Sequence, residues 1–295
     1  MKTLYFLFLI SFTVSLKPGI TKEFGEKLQS IVAWKVQEYE SNIFKGWTED
    51  ELKSILKVKF TPPNTFHILP FVTNLPDDFD PREKFGSCIH PIRDQAKCGS
   101  CWAFALSEVL SDRFCILNKD VILSPQDFLS CDKNDYGCNG GTVEHSWNYV
   151  TTTGIVSDSC MPYVSGQGSV PPCPYVCTGT GSLTKYKCKM GTLFNAADNN
   201  AKMNELYNNG PLENVFAVYS DFFYYKDGIY DHAGGSFEGF HATKTLGWGY
   251  DKATGTQYWL VANSWGTSWG INGFFKIKKG ICSIDTYGLG CTPLI

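Results

Sequence analysis

Histidine is scarce in this chain of 295 residues: there are five, at positions 67, 90, 145, 232 and 241. Proton transfer near neutral pH therefore has few candidates. Neither charge sign dominates, since the net charge is −3. That excludes the basic footprint of a nucleic-acid binder and gives no reason to expect an anionic membrane as partner. No apolar run is long enough to span a bilayer. There is no Asn-x-Ser/Thr acceptor, so glycan-dependent sorting has no basis in the sequence. Internal repeats are absent. A single Cys-x-x-Cys pair occurs, Cys98 and Cys101, with no second pair at the spacing a zinc knuckle needs. No metal and no cofactor are expected.

Cysteine, by contrast, is plentiful, with twelve residues. Without metal-binding spacing, that number points to an oxidising compartment. The N-terminus agrees: Lys2 precedes an apolar run from Thr3 to Val14, which reads as a secretory signal over residues 1–16, cleaved near Ser15 or Leu16. Residues 17–74 contain no cysteine. Lys22 to Tyr39 has helical spacing, with Phe24, Leu28, Val32 and Val36 on one side. Thr48-Glu49-Asp50-Glu51 is a capping box that starts a second helix through Leu52, Ile55 and Leu56. Pro62, Pro63, Pro70 and Pro76 punctuate an extended exit. A cysteine-free helical arm before a cysteine-rich body reads as a pro-segment; a small helical accessory domain is the competing reading.

The body starts near Leu75-Pro76. Its first half is helical. Cys101 to Leu117 lacks proline and glycine and reads as a buried helix, Ser124-Pro125 opens a second, and Thr142 opens a third through Val150, closed by Gly154. Asp198 or Asn199 opens a fourth, ending before Gly210-Pro211. Residues 165–174 form a hinge or surface loop. From Leu212 the chain turns to short strands, among them Val215–Tyr219, Thr243–Trp248, Tyr258–Ala262 and Phe274–Ile277.

The organising stretch is Gln95-Ala96-Lys97-Cys98-Gly99-Ser100-Cys101-Trp102-Ala103-Phe104. Cys101 falls in the first turn of the long helix, where unpaired N–H groups and the positive dipole end favour a thiolate. A redox dithiol, a zinc pair and two structural cysteines compete with a nucleophile here. The redox reading needs a strand just before the pair, and Ile89-His90-Pro91-Ile92 is a poor one. His67 lies in the arm, and His90, His145 and His232 read as surface residues. His241 opens an apolar strand, and Asn263 follows in Tyr258-Trp259-Leu260-Val261-Ala262-Asn263-Ser264-Trp265-Gly266.

With QAKCGSCWAF, LSPQDFLSC, GCNGG (137–141), VYSDFFYYKDGIY, HATKTLGWG and YWLVANSWG in this order, residues 75–295 resemble the papain-like cysteine proteases, and within them the cathepsin B group. The resemblance implies an α+β, papain-like two-domain fold. A mainly helical L-domain (about 75–183) and a β-barrel-like R-domain (about 184–295) would enclose the active-site cleft. It implies a cysteine endopeptidase made as a zymogen. Cys101 would be the nucleophile, His241 its proton partner and Asn263 the group that orients His241. Trp265 would shield that contact, and Gln95 would form the oxyanion hole with the Cys101 N–H. Gly140 and Gly141 would line substrate backbone. Val143, Val215, Ala242 and Tyr287 would make an apolar second subsite, with Phe240 narrowing the cleft. The facing of Asp285 is not readable.

The implied disulfides are Cys88–Cys115, Cys98–Cys138, Cys131–Cys173 and Cys160–Cys177. Cys188–Cys291 is a guess, and Cys282 resembles a free cysteine. The cathepsin B group carries an occluding loop with paired histidines. Here the segment between Cys160 and Cys173 is short and holds none, which implies an open primed side and no dipeptide removal from C-termini. Expected partners are protein and peptide substrates, the chain's own propeptide as inhibitor and cystatin-type inhibitors. A monomer is expected, with no nucleic acid and no membrane, in the secretory pathway, a lysosome or digestive vacuole, or outside the cell. Acid would loosen the arm if Glu23, Glu26, Glu49, Asp50 and Glu51 are paired. An inactive binding protein on the same fold is the alternative, and the presence of Gln95, Cys101, His241 and Asn263 argues against it.

Overall fold

The computed structural model describes residues 16–59, 74–196 and 198–295. The apolar leader to Ser15, Pro62, Pro63, Pro70 and His67 lie outside the described residues.

The arm begins with α1 (Lys22–Gln29), which Thr21 caps by accepting from the Phe24 N–H. The helix expected to reach Tyr39 stops at Gln29. Trp34 and Val36 are buried while Lys35 is exposed. This two-residue alternation wins because β1 (Lys35–Val36) pairs antiparallel with Tyr225–Asp227 of the body. Thr48 and Glu51 form the expected capping box on α2 (Glu49–Ser54). The described part of the arm ends in β2 (Val58–Lys59).

In the body, Asp80 caps the short α3 (Pro81–Phe85). The long α4 (Cys101–Ile116) starts where the sequence predicts, yet it is buried all round, including Ser107, Glu108, Ser111, Asp112 and Arg113. A helix with a polar flank normally turns that flank to water; here α4 is enclosed between two lobes, so its polar residues find partners across the chain. Ser124 caps α5 (Pro125–Cys131), with proline at the first turn. β3 (Gly141–Thr142) leads into α6 (Val143–Thr152). Thr142 makes no side-chain cap; its N–H donates to Asp135 Oδ1 at 2.7 Å instead.

The second lobe contains β4 (Phe194–Asn195), α7 (Asn199–Asn209, capped by Asp198), β5 (Leu212–Tyr219), β6 (Tyr225–Asp227) and β7 (Ile229–Tyr230). It continues with β8 (Phe237–Asp251), β9 (Thr256–Ala262), β10 (Phe274–Lys278) and β11 (Leu289–Gly290). One sheet has the order β4-β11-β5-β8-β9-β10-β7, antiparallel except for the β10–β7 pair.

The arm packs as part of this body. Ile20, Leu28, Trp34, Val36, Phe44, Leu52, Ile55 and Leu56 join the core of the second lobe, and Val58 joins the core around Cys101. Each such side chain contributes about 1.5–3 kcal/mol when fully buried. Five disulfides cross-link the body: Cys88–Cys115, Cys98–Cys138, Cys131–Cys173, Cys160–Cys177 and Cys188–Cys291. Cys101 and Cys282 are free.

Candidate active site

Two elements from different lobes meet at Cys101. α4 presents the cysteine as its first residue, and the Cys98–Cys138 bridge pins the chain just before it. β8 runs past it, so that the Ala242 N–H reaches the sulfur, as do the N–H groups of Trp102 and of Lys57 from the arm. His241, next to Ala242, is fully buried. Its Nε2 lies 2.7 Å from Asn263 Oδ1. An amide oxygen only accepts, so Nε2 carries the proton and Nδ1 keeps its lone pair. That Nδ1 has no hydrogen bond among the described residues. Asn263 follows the end of β9. Its Oδ1 also accepts from the Ser264 N–H at 2.8 Å, and its own N–H donates to Gly273 O at 2.9 Å. The Trp265 ring stacks on the imidazole, with centroids 4.8 Å apart and planes 30° from parallel.

The protonation of this pair differs from what a helix N-terminus alone favours. Burial pushes the Cys101 thiol up to about 12, against the opposing hydrogen bonds from Ala242, Trp102 and Lys57. Burial also pulls His241 down to about 4, with the Asn263 contact opposing. Under the arm, thiol and imidazole are both neutral.

Gln95 is wholly buried two residues after Arg93. Its Nε2 donates to Cys98 O at 2.8 Å and to Ile55 O of the arm at 3.0 Å. Ser264 Oγ donates to its Oε1 at 2.7 Å, which fixes the amide so that Nε2 faces the cleft. Tyr163 donates to Gln95 O at 2.7 Å and packs edge-on against Phe104. The segment after Cys160 is thereby held down against α4.

On the other side of Cys101, β2 of the arm pairs in parallel with β3, and Lys57 bridges in parallel to Phe240. Gly140 has φ +112°, and a side chain there would collide with Lys57 O; one on Gly141 would collide with the Trp102 ring. Gly140 needs glycine because the arm's backbone lies against it, and Gly141 because the Trp102 ring does. Val143, Val215, Ala242 and Tyr287 share one buried cluster with Cys101 and Val58. Phe240 packs at its edge, against Phe237. Asp285 is committed elsewhere: its carboxylate accepts from Trp259 Nε1 at 2.6 Å and from the Gly280 N–H.

The sequence reading missed Ser264, Tyr163 and Glu213. Glu213 is fully buried on β5, accepts from Trp147 Nε1 at 2.5 Å and has no partner for Oε1. Burial holds its carboxyl well above the usual range. The available signal was an acid set between Leu212 and Val215 in a strand that is otherwise core.

The remaining histidines divide. His145 is exposed and 3.5 Å from Asp135. His232 faces Asp221 at 3.0 Å and stacks on Tyr219. His90, read from sequence as a surface residue, is instead held between Asp112 and Asp120 with its side chain only 11% exposed. His90, Cys115 and Asp120 lie close enough to suggest a metal site. Cys115 is spent in its disulfide with Cys88, however, so the group lacks a thiolate ligand.

Comparison with known proteins gives a consistent answer. Residues 75–291 match the family model described as papain family cysteine protease. Two curated proteins of Giardia intestinalis are similar. Cathepsin B-like CP2 is 38% identical over 253 residues, covering 82% of this chain and 84% of that protein. Cathepsin B-like CP3 is 39% identical over 258 residues, covering 84% and 86%. Among solved structures, proCathepsin B S9 from Trypanosoma congolense superposes with a TM-score of 0.86 at 34% identity, over 94% of this chain and 100% of that one.

Proposed function

The chain belongs to the papain family of cysteine proteases, as a cathepsin B-like member, and from that premise we propose that residues 75–295 form an endopeptidase held silent by residues 17–74. The observation that carries the silencing is that Ile55 O of the arm takes, at 3.0 Å, the Gln95 Nε2 donor that an oxyanion needs. Beside it β2 of the arm pairs with β3, and Lys57 O accepts from the Gly141 N–H at 3.2 Å, where substrate backbone would lie. The arm lies in the cleft as a peptide does, in an arrangement that cannot react.

With the arm gone, Cys101 and His241 are wetted and form the thiolate–imidazolium pair. The thiolate attacks the peptide carbonyl. Gln95 Nε2 and the Cys101 N–H hold the oxyanion, and His241 Nδ1 gives its proton to the leaving amine. A thioester remains on Cys101. His241 then takes a proton from water, whose oxygen attacks the thioester carbonyl and frees the acid. Asn263 orients the ring without competing for the proton, because an amide is not a base at these pH values. No step calls for a metal or cofactor.

The second subsite is apolar, made by Val143, Val215, Ala242 and Tyr287, with Val58 of the arm packed among them. Asp285 is turned to Trp259, and burial disfavours the ionised form of Glu213, so neither supplies a ready negative charge there. The expected result is that the acid-processed enzyme cleaves a Phe-Arg amide at least about ten-fold faster than an Arg-Arg amide, with nothing cleaved by Cys101→Ala. Equal rates on both amides would mean that Glu213 ionises toward a bound arginine. The tight packing of Tyr163 and the short segment after Cys160 support an open primed side and no dipeptide removal. The five disulfides support maturation in the secretory pathway, with a lysosome-like or extracellular destination.

Of the five acidic residues proposed to respond to acid, Glu51 is the one ion-paired to the body: Lys97 Nζ lies 2.8 Å from its Oε1. Glu26 and Glu49 pair within the arm. Lys97, then the Thr48 N–H, hold the Glu51 carboxyl below its ordinary value of 4.5. A depressed carboxylate stabilises the docked arm above that ordinary value, and the contribution is lost as pH falls through the depressed one. Self-processing is therefore expected to quicken below about pH 4.5, and Glu51→Gln to process faster at pH 6 and to respond less to acid. A gel time course at both pH values reads this. Identical pH responses of the two chains would remove Glu51 from the mechanism.

A further inference from the structure

Cys101 and His241 sit on elements from different lobes, so their alignment depends on what locks α4 to β8. Apolar packing between the two is extensive but does not by itself fix a position along the helix axis. Polar connections do: Arg113 of α4 donates to Pro211 O, Gly210 O and Cys291 O of the second lobe, and a further one runs from α4 to β8 itself. Lys244, three residues after His241 on β8, places Nζ 2.7 Å from Asp112 Oδ2 and 3.8 Å from Glu108 Oε2, both on α4. All three are buried. Asp112 lies about 16 Å along the helix from Cys101, so a small tilt at this point is carried to the reacting sulfur.

Asp112 is gripped from its other side by His90. The His90 N–H donates to Asp112 Oδ1 at 3.1 Å, and Nδ1 lies 2.7 Å from the same oxygen. His90 Nε2 lies 3.0 Å from Asp120 Oδ1. The Cys88–Cys115 disulfide ties the His90 loop to the same helix. The charged groups around the relay are Glu108 and Asp112 from α4, Lys244 from β8, Asp120 after α4, and Arg93, which is paired with Asp158.

We infer that His90 is a positioning residue for the reaction: through Asp112 and Lys244 it sets the Cys101 helix against the His241 strand, and it does so fully only when protonated. An imidazolium donates from both nitrogens and satisfies both carboxylates. A neutral imidazole has one N–H, so either Asp112 or Asp120 then faces a lone pair. The direction of titration fits. Asp112 first, then Asp120, raises His90 above its ordinary 6.5. The grip is therefore complete below that ordinary value and is lost as pH rises through the raised one. Glu108, pushed up to about 7 by burial, is uncharged on the same acid side.

The inference rests on the reading of Cys101 and His241 as the reacting pair, and two readouts keep the two apart. The full-length chain is acid-processed in a Cys282→Ser background. Then kcat, KM and the rate of Cys101 alkylation by iodoacetamide are followed from pH 4 to 9. His90→Ala is expected to lower kcat roughly ten-fold with KM unchanged, the scale of a small misplacement of reacting groups. His90→Asn, which keeps a donor near the Nδ1 position, restores the acid-side kcat to within about two-fold and abolishes the His90-linked fall on the basic side. Asp120 is 77% exposed and touches the relay only through His90. Asp120→Asn should leave the fold intact, move the basic fall of kcat to lower pH, and shift the His90-linked step in the alkylation profile in the same direction. Profiles of Asp120→Asn and His90→Asn that superimpose on wild type would overturn the inference, whatever His90→Ala does to folding. Absence of peptide hydrolysis by wild type would sink the protease reading, while alkylation would still report on His90.

Discussion

Iodoacetamide is expected to alkylate Cys101 at pH 7 at least about a thousand times faster once residues 17–74 have been cut away. The thiol under the arm stands near 12, so at pH 7 only about one sulfur in 10⁵ is thiolate. An ordinary cysteine near 8.5 is a few per cent thiolate at that pH. Returning Cys101 to ordinary solvation alone yields a factor of about 10³. Rewetting also lifts His241 from about 4 toward its usual value, and a neighbouring imidazolium adds to the gain. The loss of the Lys57 N–H works the other way, but one hydrogen bond is a smaller effect than the burial that dominates the shift. Cys282 is pushed up to about 12 as well, so the measurement belongs in Cys282→Ser and is read by mass spectrometry at Cys101. Equal rates before and after cleavage would show that the arm hides the nucleophile from substrate without silencing it.

The parts of this site legible in the sequence are those whose chemistry is local. Cys101 heads an unbroken helix, His241 stands alone among five histidines in a strand, and Asn263 sits in an apolar run ended by Ser264-Trp265. The capping box of α2 and the proline start of α5 are written within four residues. What failed was long-range. Lys22 to Tyr39 carries a helical pattern, yet its second half becomes an edge strand because β6 offers it backbone partners some 190 residues away. His90 precedes a proline in a loop and gives no sign of the two carboxylates that enclose it. α4 reads as buried and is, but the partners of its five polar residues were not legible, because periodicity tells which residues share a side, not what covers that side. Glu213 was passed over for the same reason. A lone acid in a strand has no local partner, and Trp147 reaches it from another helix.

Among single substitutions in the processed enzyme, Cys101→Ala is expected to have the largest effect, removing peptide hydrolysis to background, a loss on the order of 10⁵–10⁶ in kcat. On the proposed mechanism alanine deletes the attacking thiolate, and His241, whose Nε2 is held by Asn263, is left with no thiol to activate. Gln95→Ala should cost less, about 10²–10³ in kcat with little change in KM, the usual scale for losing one preorganised oxyanion donor. On the proposed mechanism that donor is prepaid. Ser264 Oγ and Cys98 O already fix the amide before substrate arrives, so no reorganisation is needed as negative charge develops. The two losses should not add. A donor that stabilises an oxyanion has nothing to stabilise when no nucleophile creates one, so the double variant is expected to match Cys101→Ala alone. Single-turnover cleavage of a Phe-Arg amide by the three variants measures this. A double variant clearly below Cys101→Ala would mean that Gln95 also acts in binding. A Gln95→Ala enzyme at full kcat would move the oxyanion to other donors, with the backbone N–H of Cys101 then carrying it without the side chain.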